Sequence, residues 1–211
     1  MDARNTFTQH FIVGISSFIL AFCLHFFLGT RWSTSFAQVS FILLFLTLFI
    51  GPATKLRKPQ VASTPLKLPW SWRSELGIWF TITSLIHFYF VMGGRPNWNL
   101  VKALGGGIGG GGYGLSNLLG LVALVWALIL TATSFGKIIK WLGIESWRWL
   151  HSFTYVIFYL VTAHAIYFQF FSSYGSGPDH FGYLYLVMFL IITTLQLAAF
   201  TKTFLEQRKN K

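Results

Sequence analysis

Two histidines lie within one long apolar stretch of this sequence, residues 147–171. At about 1.5 Å of rise per residue, a helix of that length crosses a bilayer core of about 30 Å. His151 lies near one end, and His164 follows 13 residues later, about 20 Å further along the axis. Ionisable side chains at membrane depth usually mark functional sites, and neutral imidazole is a common haem ligand. We therefore predict haem ligands at two depths; the alternative is that both histidines are structural and bonded to neighbouring helices.

A second apolar stretch contains His87, at a depth similar to that of His164. His87 lies about 21 Å along its helix from Arg73, and His164 lies about 24 Å from Arg148. Two imidazoles at one depth, on two helices that run in the same direction, could supply both axial ligands of a six-coordinate haem. We therefore predict that His87 and His164 bind opposite faces of one haem, and that each ring needs a partner for its second nitrogen.

The second ligand of an inner haem at His151 is left open by the sequence. At the matching depth the other helix offers Arg73 or Ser74, and neither residue type ligates haem. On an ideal helix, residues at about 100° intervals place His151 and His164 about 140° apart, so the two cannot face the same neighbour without distortion. Either His10 in the first apolar stretch completes the site, or His151 is the only protein ligand, or it binds no iron.

Other candidate residues have weaker assignments. His25, in the first stretch, is predicted to pack or snorkel, with a quinone-site or ligand role as the alternative. His180 lies in a predicted external loop and is expected to be solvated. Arg73, Arg148 and Arg95 could neutralise haem propionates, or they could anchor helix ends at the membrane interface.

The composition is that of a membrane protein. Of the 211 residues, 54% are hydrophobic and 10% are charged, whereas soluble domains have about 25% charged residues. The net charge of +11 does not indicate nucleic acid, because the Lys and Arg residues cluster at the ends of apolar stretches. With Cys23 as the only cysteine, an internal disulfide and a cysteine-bound cluster are excluded.

The hydrophobic pattern predicts an all-α integral membrane protein, a six-transmembrane-helix bundle that forms a single domain over residues 1–211. The apolar stretches are too long for barrel strands. The N-terminus lacks a basic region and a cleavage site, so the first stretch is expected to be retained. The predicted spans are residues 8–28, 36–54, 73–92, 114–135, 147–171 and 181–204.

The Lys and Arg residues are distributed unequally between the two sides of this bundle. Of the 16, only Arg31, Arg95 and Lys102 fall on the side opposite the termini. The positive-inside rule therefore predicts that both termini are cytoplasmic. The basic loop of residues 52–72 is expected to lie along cytoplasmic headgroups, with docking of an acidic partner as the alternative.

Glycines dominate the loop of residues 93–114. Gly107, Gly109 and Gly112 formally match the dinucleotide-binding pattern G-x-G-x-x-G, but no strand precedes them and no βαβ unit surrounds them. We interpret this segment as a flexible external linker.

Roughly residues 40–170 resemble the ferric-reductase-like transmembrane domain family. That family includes the haem-binding membrane subunit of the bacterial periplasmic methionine-sulfoxide reductase system and the membrane halves of ferric reductases and NADPH oxidases. The most specific feature is the pattern W-x-x-L-H-x-x-x-Y that starts at Trp147, with a second histidine 13 residues after the first. The other matching residues are Arg73, Leu76, Gly77, Trp79, His87, Leu118, Leu119, Gly120, Trp126, Thr133, Ser134, Leu142 and Gly143.

This resemblance implies one or two b-type haems in a bacterial cytoplasmic (inner) membrane, carrying electrons outward. His87 and His164 would hold the outer haem and His151 the inner one. The chain lacks both the second histidine that eukaryotic members have in the third span and the C-terminal FAD and NAD(P)H domain of the oxidases. The donor is therefore expected to be a separate flavoprotein with FMN or FAD, or a quinol, and the acceptor to be extracytoplasmic, such as a periplasmic reductase subunit.

A one-electron conduit is the function that these observations favour. The acidic residues, among them Glu75, Glu145 and Asp179, fall at helix ends, in loops or near the termini, so a hydrolase or a proton pump is not expected. Two alternatives are a quinol-oxidising cytochrome of another family and a non-haem transporter or assembly protein. The side chains predicted to keep the haems dry include Trp79, Phe88, Trp126, Tyr155 and Tyr159.

Overall fold

The computed structural model describes residues 6–56, 72–94, 97–105, 113–171 and 178–209, and these ranges are helical apart from short connections. The predicted all-α class is confirmed, since the described ranges contain no strand. The helices are α1 (Thr6–Leu28), α2 (Trp32–Leu56), α3 (Trp72–Gly93), α4 (Leu100–Ala103), α5 (Tyr113–Ala132), α6 (Gly136–Leu142), α7 (Ile144–Ser152), α8 (Thr154–Ile166) with a π-helical turn (Tyr167–Phe171), and α9 (His180–Lys209).

Six segments are long and apolar enough to cross a membrane, as predicted: α1, α2, α3, α5, the α7–α8 segment with its π turn, and α9. Large apolar side chains such as Phe7, Phe11 and Phe26 are exposed on the outside of the bundle. Such a surface is unfavourable in water but matches lipid tails. We call the end of the bundle where α1 and α9 carry the chain termini the near end, and the opposite end the far end.

Helix α2 is the centre of the bundle. It packs against α1, α3, α8 and α9, and 61% of its most apolar stretch is buried, whereas no other span exceeds 28%. Phe41, Leu44 and Leu48 are almost completely buried along it. α3 in turn packs against α5, and α5 packs against α8, so that α2, α3, α5 and α8 enclose a common space.

Two helix ends extend beyond the predicted spans because polar residues continue the helices. α2 begins at Trp32, where the Ser35 hydroxyl donates a hydrogen bond of 3.1 Å to the Arg31 carbonyl oxygen. α9 continues to Lys209, and its last turns carry the pair Lys202 and Glu206, with 3.9 Å between Nζ and Oε1. Hydropathy alone does not detect these solvated turns.

The fifth span is interrupted rather than a single ideal helix. α7 ends at Ser152 and α8 begins at Thr154, with Phe153 in a turn between them. The Phe153 ring stacks on Trp126 of α5, with 4.8 Å between ring centroids, which fixes the break against the neighbouring helix. α8 then ends in the π-helical turn.

The connection between α3 and α5 contains the helix α4, whereas a flexible linker was predicted over residues 93–114. Asn99 caps α4 by accepting a hydrogen bond of 3.1 Å from the Lys102 backbone N–H. The Asn117 side chain of α5 donates a hydrogen bond of 2.6 Å to the Ala103 carbonyl oxygen, which ties α4 to the bundle. Residues 106–112 of the predicted glycine linker and residues 57–71 of the predicted basic loop lie outside the described residues.

Candidate functional site

His87 lies on α3 and is oriented by the first turn of α2. Its Nδ1 lies 2.8 Å from the Ser33 carbonyl oxygen. Because a carbonyl oxygen only accepts, Nδ1 carries the proton and donates, which leaves the lone pair of the neutral ring on Nε2. A metal-bound histidine is typically held in this way, with one ring nitrogen donating to a backbone carbonyl.

His164 lies on α8 and is oriented in the same manner by the first turn of α5. Its Nδ1 donates to the Ser116 carbonyl oxygen at 2.7 Å. The Ser116 hydroxyl lies 3.3 Å from the same nitrogen and donates to the His164 carbonyl oxygen at 3.2 Å. Gly120, one turn further along α5, leaves room for the ring, since a Cβ there would be only 2.9 Å from Nδ1.

The two rings face each other across the space between α3 and α8. Their centroids are 6.4 Å apart and their planes are inclined by 76°. With about 2 Å for each metal–nitrogen bond, as in zinc-bound imidazole, and about 1 Å from nitrogen to ring centre, two imidazoles on opposite sides of one metal ion have centres about 6 Å apart. The separation of His87 and His164 therefore suits ligation of a single iron between them.

A cavity adjoins this pair of rings. The space free of protein atoms there, including its open mouth, amounts to about 910 Å³. His87 and His164 are the ionisable imidazoles in its wall, and no Lys, Arg, Asp or Glu of the described ranges lines it. Most of the lining is apolar, from α2, α3, α4, α5, α8 and α9, and includes Phe80, Phe88, Val91, Leu121, Leu124 and Val161.

Helix α4 forms part of the cavity wall on the far side. Leu100, Ala103 and Leu104 all line the space. The hydrogen bond from Asn117 holds α4 in this position. The segment predicted to be a linker thus contributes apolar cover to the site.

His151 lies at the near end, against the end of α5. Its Nε2 is 3.3 Å from the Thr133 hydroxyl, which itself donates to the Ile129 and Leu130 carbonyl oxygens at 3.0 Å. The Trp147 ring packs at 4.3 Å from the His151 ring, measured between centroids. His151 therefore has a polar partner that contacts the nitrogen a haem would need.

His151 and His164 both face α5, through Thr133 and Ser116 respectively. The helical segment that carries the two histidines is interrupted between them, at Phe153.

The structure does not bring a second histidine to His151 among the described residues. His10 lies on α1, which packs chiefly against α2 and α3, whereas His151 contacts the end of α5. Arg73 lies at the start of α3, with a guanidinium nitrogen 3.9 Å from the position of a Cβ on Gly51 of α2. Arg148 is exposed on α7. The roles of His10, Arg73 and Arg148 stay predictions.

The remaining histidines have surroundings that agree with the expectations from sequence. The His25 ring stacks on Trp32 with 3.9 Å between centroids, and its Nδ1 donates to the Thr30 carbonyl oxygen at 2.6 Å. His180 is exposed at the start of α9. His25 is therefore a packed histidine that belongs to the connection between α1 and α2.

Of the aromatic residues expected to shield haem, Phe88 lines the cavity. Trp79 packs instead on Gly14 of α1, and Tyr155 accepts a hydrogen bond from the Gln196 side-chain amide. Glu75 lies in the first turn of α3, as expected, but it is only 4% exposed, and its Oε2 has no hydrogen-bond partner among the residues that the structure describes. Its burial was not apparent from its place at a helix end.

The roles of three further residues at the site were not predicted from the sequence. Ser33 and Ser116 act through backbone carbonyls, and Gly120 acts by lacking a side chain. Gly120 alone had a signal in the sequence, as part of the Leu118–Gly120 motif, whereas a backbone acceptor can be supplied by any residue type.

The family model described as "Ferric reductase like transmembrane component" matches residues 34–162, which include His87 and His151 and most of α8. The chain belongs to this family. The predicted family resemblance is thereby confirmed over more than half of the chain. Comparisons with curated proteins and with solved structures gave no match. As a ferric-reductase-like transmembrane component with six apolar spans, the chain is a multi-pass membrane protein of a family that suggests membrane electron transfer.

Proposed function

We propose that this ferric-reductase-like protein binds b-type haem between His87 and His164 and carries electrons, one at a time, across the membrane. The observation that carries the proposal is the pair of facing imidazoles, 6.4 Å apart between centroids, with both Nδ1 atoms bonded to backbone carbonyls. Haem iron, when bound, supplies reversible one-electron chemistry.

Each residue of the pair has a definite task in this proposal. His87 and His164 would hold the haem iron through their Nε2 atoms, which the Nδ1 hydrogen bonds leave free. The Ser33 and Ser116 carbonyls fix ring orientation and keep the proton on Nδ1, which also makes each imidazole a stronger ligand. The apolar wall excludes water, so burial and ligand basicity together set the reduction potential.

A second haem at His151 is the alternative to a single-haem protein. His151 would have to give up the Thr133 contact, 3.3 Å from its Nε2, or ligate through Nδ1. If His10 is the second ligand of this haem, α1 must approach α7. If His151 is the only protein ligand, no such movement is needed. Arg73 and Arg148, both at the near end, would neutralise the propionates of such an inner haem.

The direction of transfer and the partners follow from the family and the charge pattern. Most of the Lys and Arg residues that the structure describes lie at the near end, which supports a cytoplasmic location for both termini in a bacterial inner membrane. The donor would be a cytoplasmic flavoprotein with FMN or FAD, or a quinol in the bilayer. The acceptor would be extracytoplasmic, such as a partner reductase, reached from the far end where the His87–His164 pair lies.

Purification in detergent tests haem binding. We expect a red protein whose Soret band shifts on dithionite reduction as in low-spin bis-histidine haem, and we expect His87→Ala and His164→Ala to lose that signal. His25→Ala is the matched control, because His25 is also a packed histidine of the far half, stacked on Trp32. A colourless wild-type protein from haem-sufficient cells would favour the transporter alternative.

Proteoliposomes test electron transfer across the membrane. With ferricyanide trapped inside and dithionite outside, vesicles that contain the wild-type protein should reduce the trapped ferricyanide faster than protein-free vesicles do. Vesicles that contain the His87→Ala/His164→Ala double variant should reduce the ferricyanide no faster than protein-free vesicles do. Equal rates for the wild type and the double variant would refute the conduit. Inhibition of quinol-driven, but not flavin-driven, reduction by quinone analogues would distinguish the two donors.

A further inference from the structure

Tyr185 of α9 lines the cavity beside His87 and His164, yet it lies outside the stretch matched by the family. Its side chain is 5% exposed, and its ring packs against Phe41 of α2 with 4.6 Å between centroids. The ring therefore has a fixed position in the wall, at the junction of α2 and α9.

The Tyr185 hydroxyl makes no hydrogen bond to any residue in the ranges that the structure describes. A buried tyrosine normally finds a partner for its hydroxyl, since leaving the group unpaired costs about 1–3 kcal/mol. The wall of a largely apolar cavity thus contains a hydroxyl that no described residue of the protein pairs.

The charges needed to bind a carboxylate are absent from the described wall of the cavity. Of the arginines considered as propionate partners, Arg73 and Arg148 lie at the near end and Arg95 lies outside the described residues. No Lys or Arg of the described ranges lines the space, so within the described wall a propionate near the His87–His164 pair meets only neutral donors. A phenol O–H is the strongest neutral donor available there, and hydrogen bonds to an ionised carboxylate are about twice as strong as neutral ones.

We infer that the Tyr185 hydroxyl donates a hydrogen bond to a propionate carboxylate of the haem held by His87 and His164. This inference rests on the proposed function, and it makes Tyr185 a positioning residue that fixes the rotation of the haem about the axis through its two ligands. Withdrawal of negative charge from the propionate favours the reduced iron, so the bond also raises the reduction potential.

Tyr185→Phe tests this assignment, because it removes the hydroxyl and keeps the ring against Phe41. In a redox titration of the purified holoprotein, we expect a lower midpoint potential with an unchanged bis-histidine absorption spectrum. The ratio of reduced to oxidised haem at fixed ambient potential should fall by about threefold to tenfold, where tenfold corresponds to about 59 mV for one electron. The propionate bending bands in the resonance Raman spectrum should also shift.

Tyr183→Phe is the matched control, since Tyr183 is on the same helix but is 56% exposed and packs on Phe170. It should leave the potential and the Raman bands unchanged. Equal potentials and equal propionate bands for Tyr185→Phe and the wild type would overturn the inference while leaving haem binding intact. A wild-type protein without haem would instead refute the proposed function itself.

Discussion

Replacement of Gly120 by alanine tests the arrangement around His164 without touching a ligand. A Cβ at this position would lie 2.9 Å from Nδ1, 3.0 Å from Cε1 and 3.3 Å from Cγ of the His164 ring. Ordinary van der Waals contacts to a Cβ begin near 3.4 Å. The ring must therefore move by about 0.5 Å or more, or α5 and α8 must separate.

The size of the effect follows from the cost of overpacking. An extra methyl group in a well-packed site costs about 1–3 kcal/mol. The same Nδ1 also makes the 2.7 Å hydrogen bond to the Ser116 carbonyl, so a displaced ring loses its orientation as well as its space. If the strain falls on the bound state, haem affinity drops by about 5-fold to 150-fold, since each 1.4 kcal/mol is a factor of ten.

Haem titration into detergent-solubilised apoprotein, followed at the Soret band, measures this affinity. Gly77→Ala is the matched control, because Gly77 is a glycine of the neighbouring α3 whose nearest contact, Thr47 Cγ2, would be 3.9 Å from the new Cβ. The control should bind haem as the wild type does. If Gly120→Ala also binds haem with wild-type affinity and a wild-type low-spin spectrum, the described position of the His164 ring is wrong.

Three other substitutions separate the parts of the structure. Ser116→Ala should change haem affinity by less than about fivefold, about 1 kcal/mol, because the 2.7 Å acceptor of His164 is the backbone carbonyl; a complete loss of haem would contradict this. His151→Ala should leave the low-spin spectrum of the haem at His87 and His164 intact. Loss of that signal would show that the His151 site and the His87–His164 site are not independent. Gly14→Ala brings a Cβ to 2.3 Å from Trp79, so it should lower stability by about 1–3 kcal/mol with haem content unchanged. Reduced haem content at full stability would show that the Gly14–Trp79 contact supports haem binding rather than stability.

The spans and the common depth of the two histidines could be predicted from sequence. Apolar length decides which segments cross a membrane, and the constant rise of a helix converts residue counts from Arg73 and Arg148 into depths. The structure then brings the His87 and His164 rings to 6.4 Å from each other, measured between centroids. That much depends only on regular helix geometry.

The surroundings of His151 could not be predicted, because they depend on an irregularity. Phe153 breaks the span where its ring stacks on Trp126, and nothing in the apolar pattern marks that residue as a helix end. His151 contacts Thr133, which directly follows α5, and His164 contacts Ser116 in the first turn of α5. Regular helix geometry therefore predicts the common depth of His87 and His164, but neither the break nor these contacts.

The hydrogen-bond partners of the His87 and His164 rings could not be predicted from the sequence either. Any residue type supplies a carbonyl oxygen, so neither Ser33 nor Ser116 has a side chain that reveals its role. Tyr185 illustrates the same limit, since only the packing of α9 against α2 brings its ring to the cavity wall.

The electron paramagnetic resonance spectrum of the oxidised protein tests the central claim most directly, because it reports both the number and the mutual orientation of the axial imidazoles. With ring planes inclined by 76°, two iron d orbitals are nearly equal in energy, and we predict a strongly anisotropic low-spin ferric signal that disappears in the His87→Ala/His164→Ala double variant. A low-spin signal of unchanged shape and intensity in that double variant would mean that the haem is bound elsewhere, and would contradict the account.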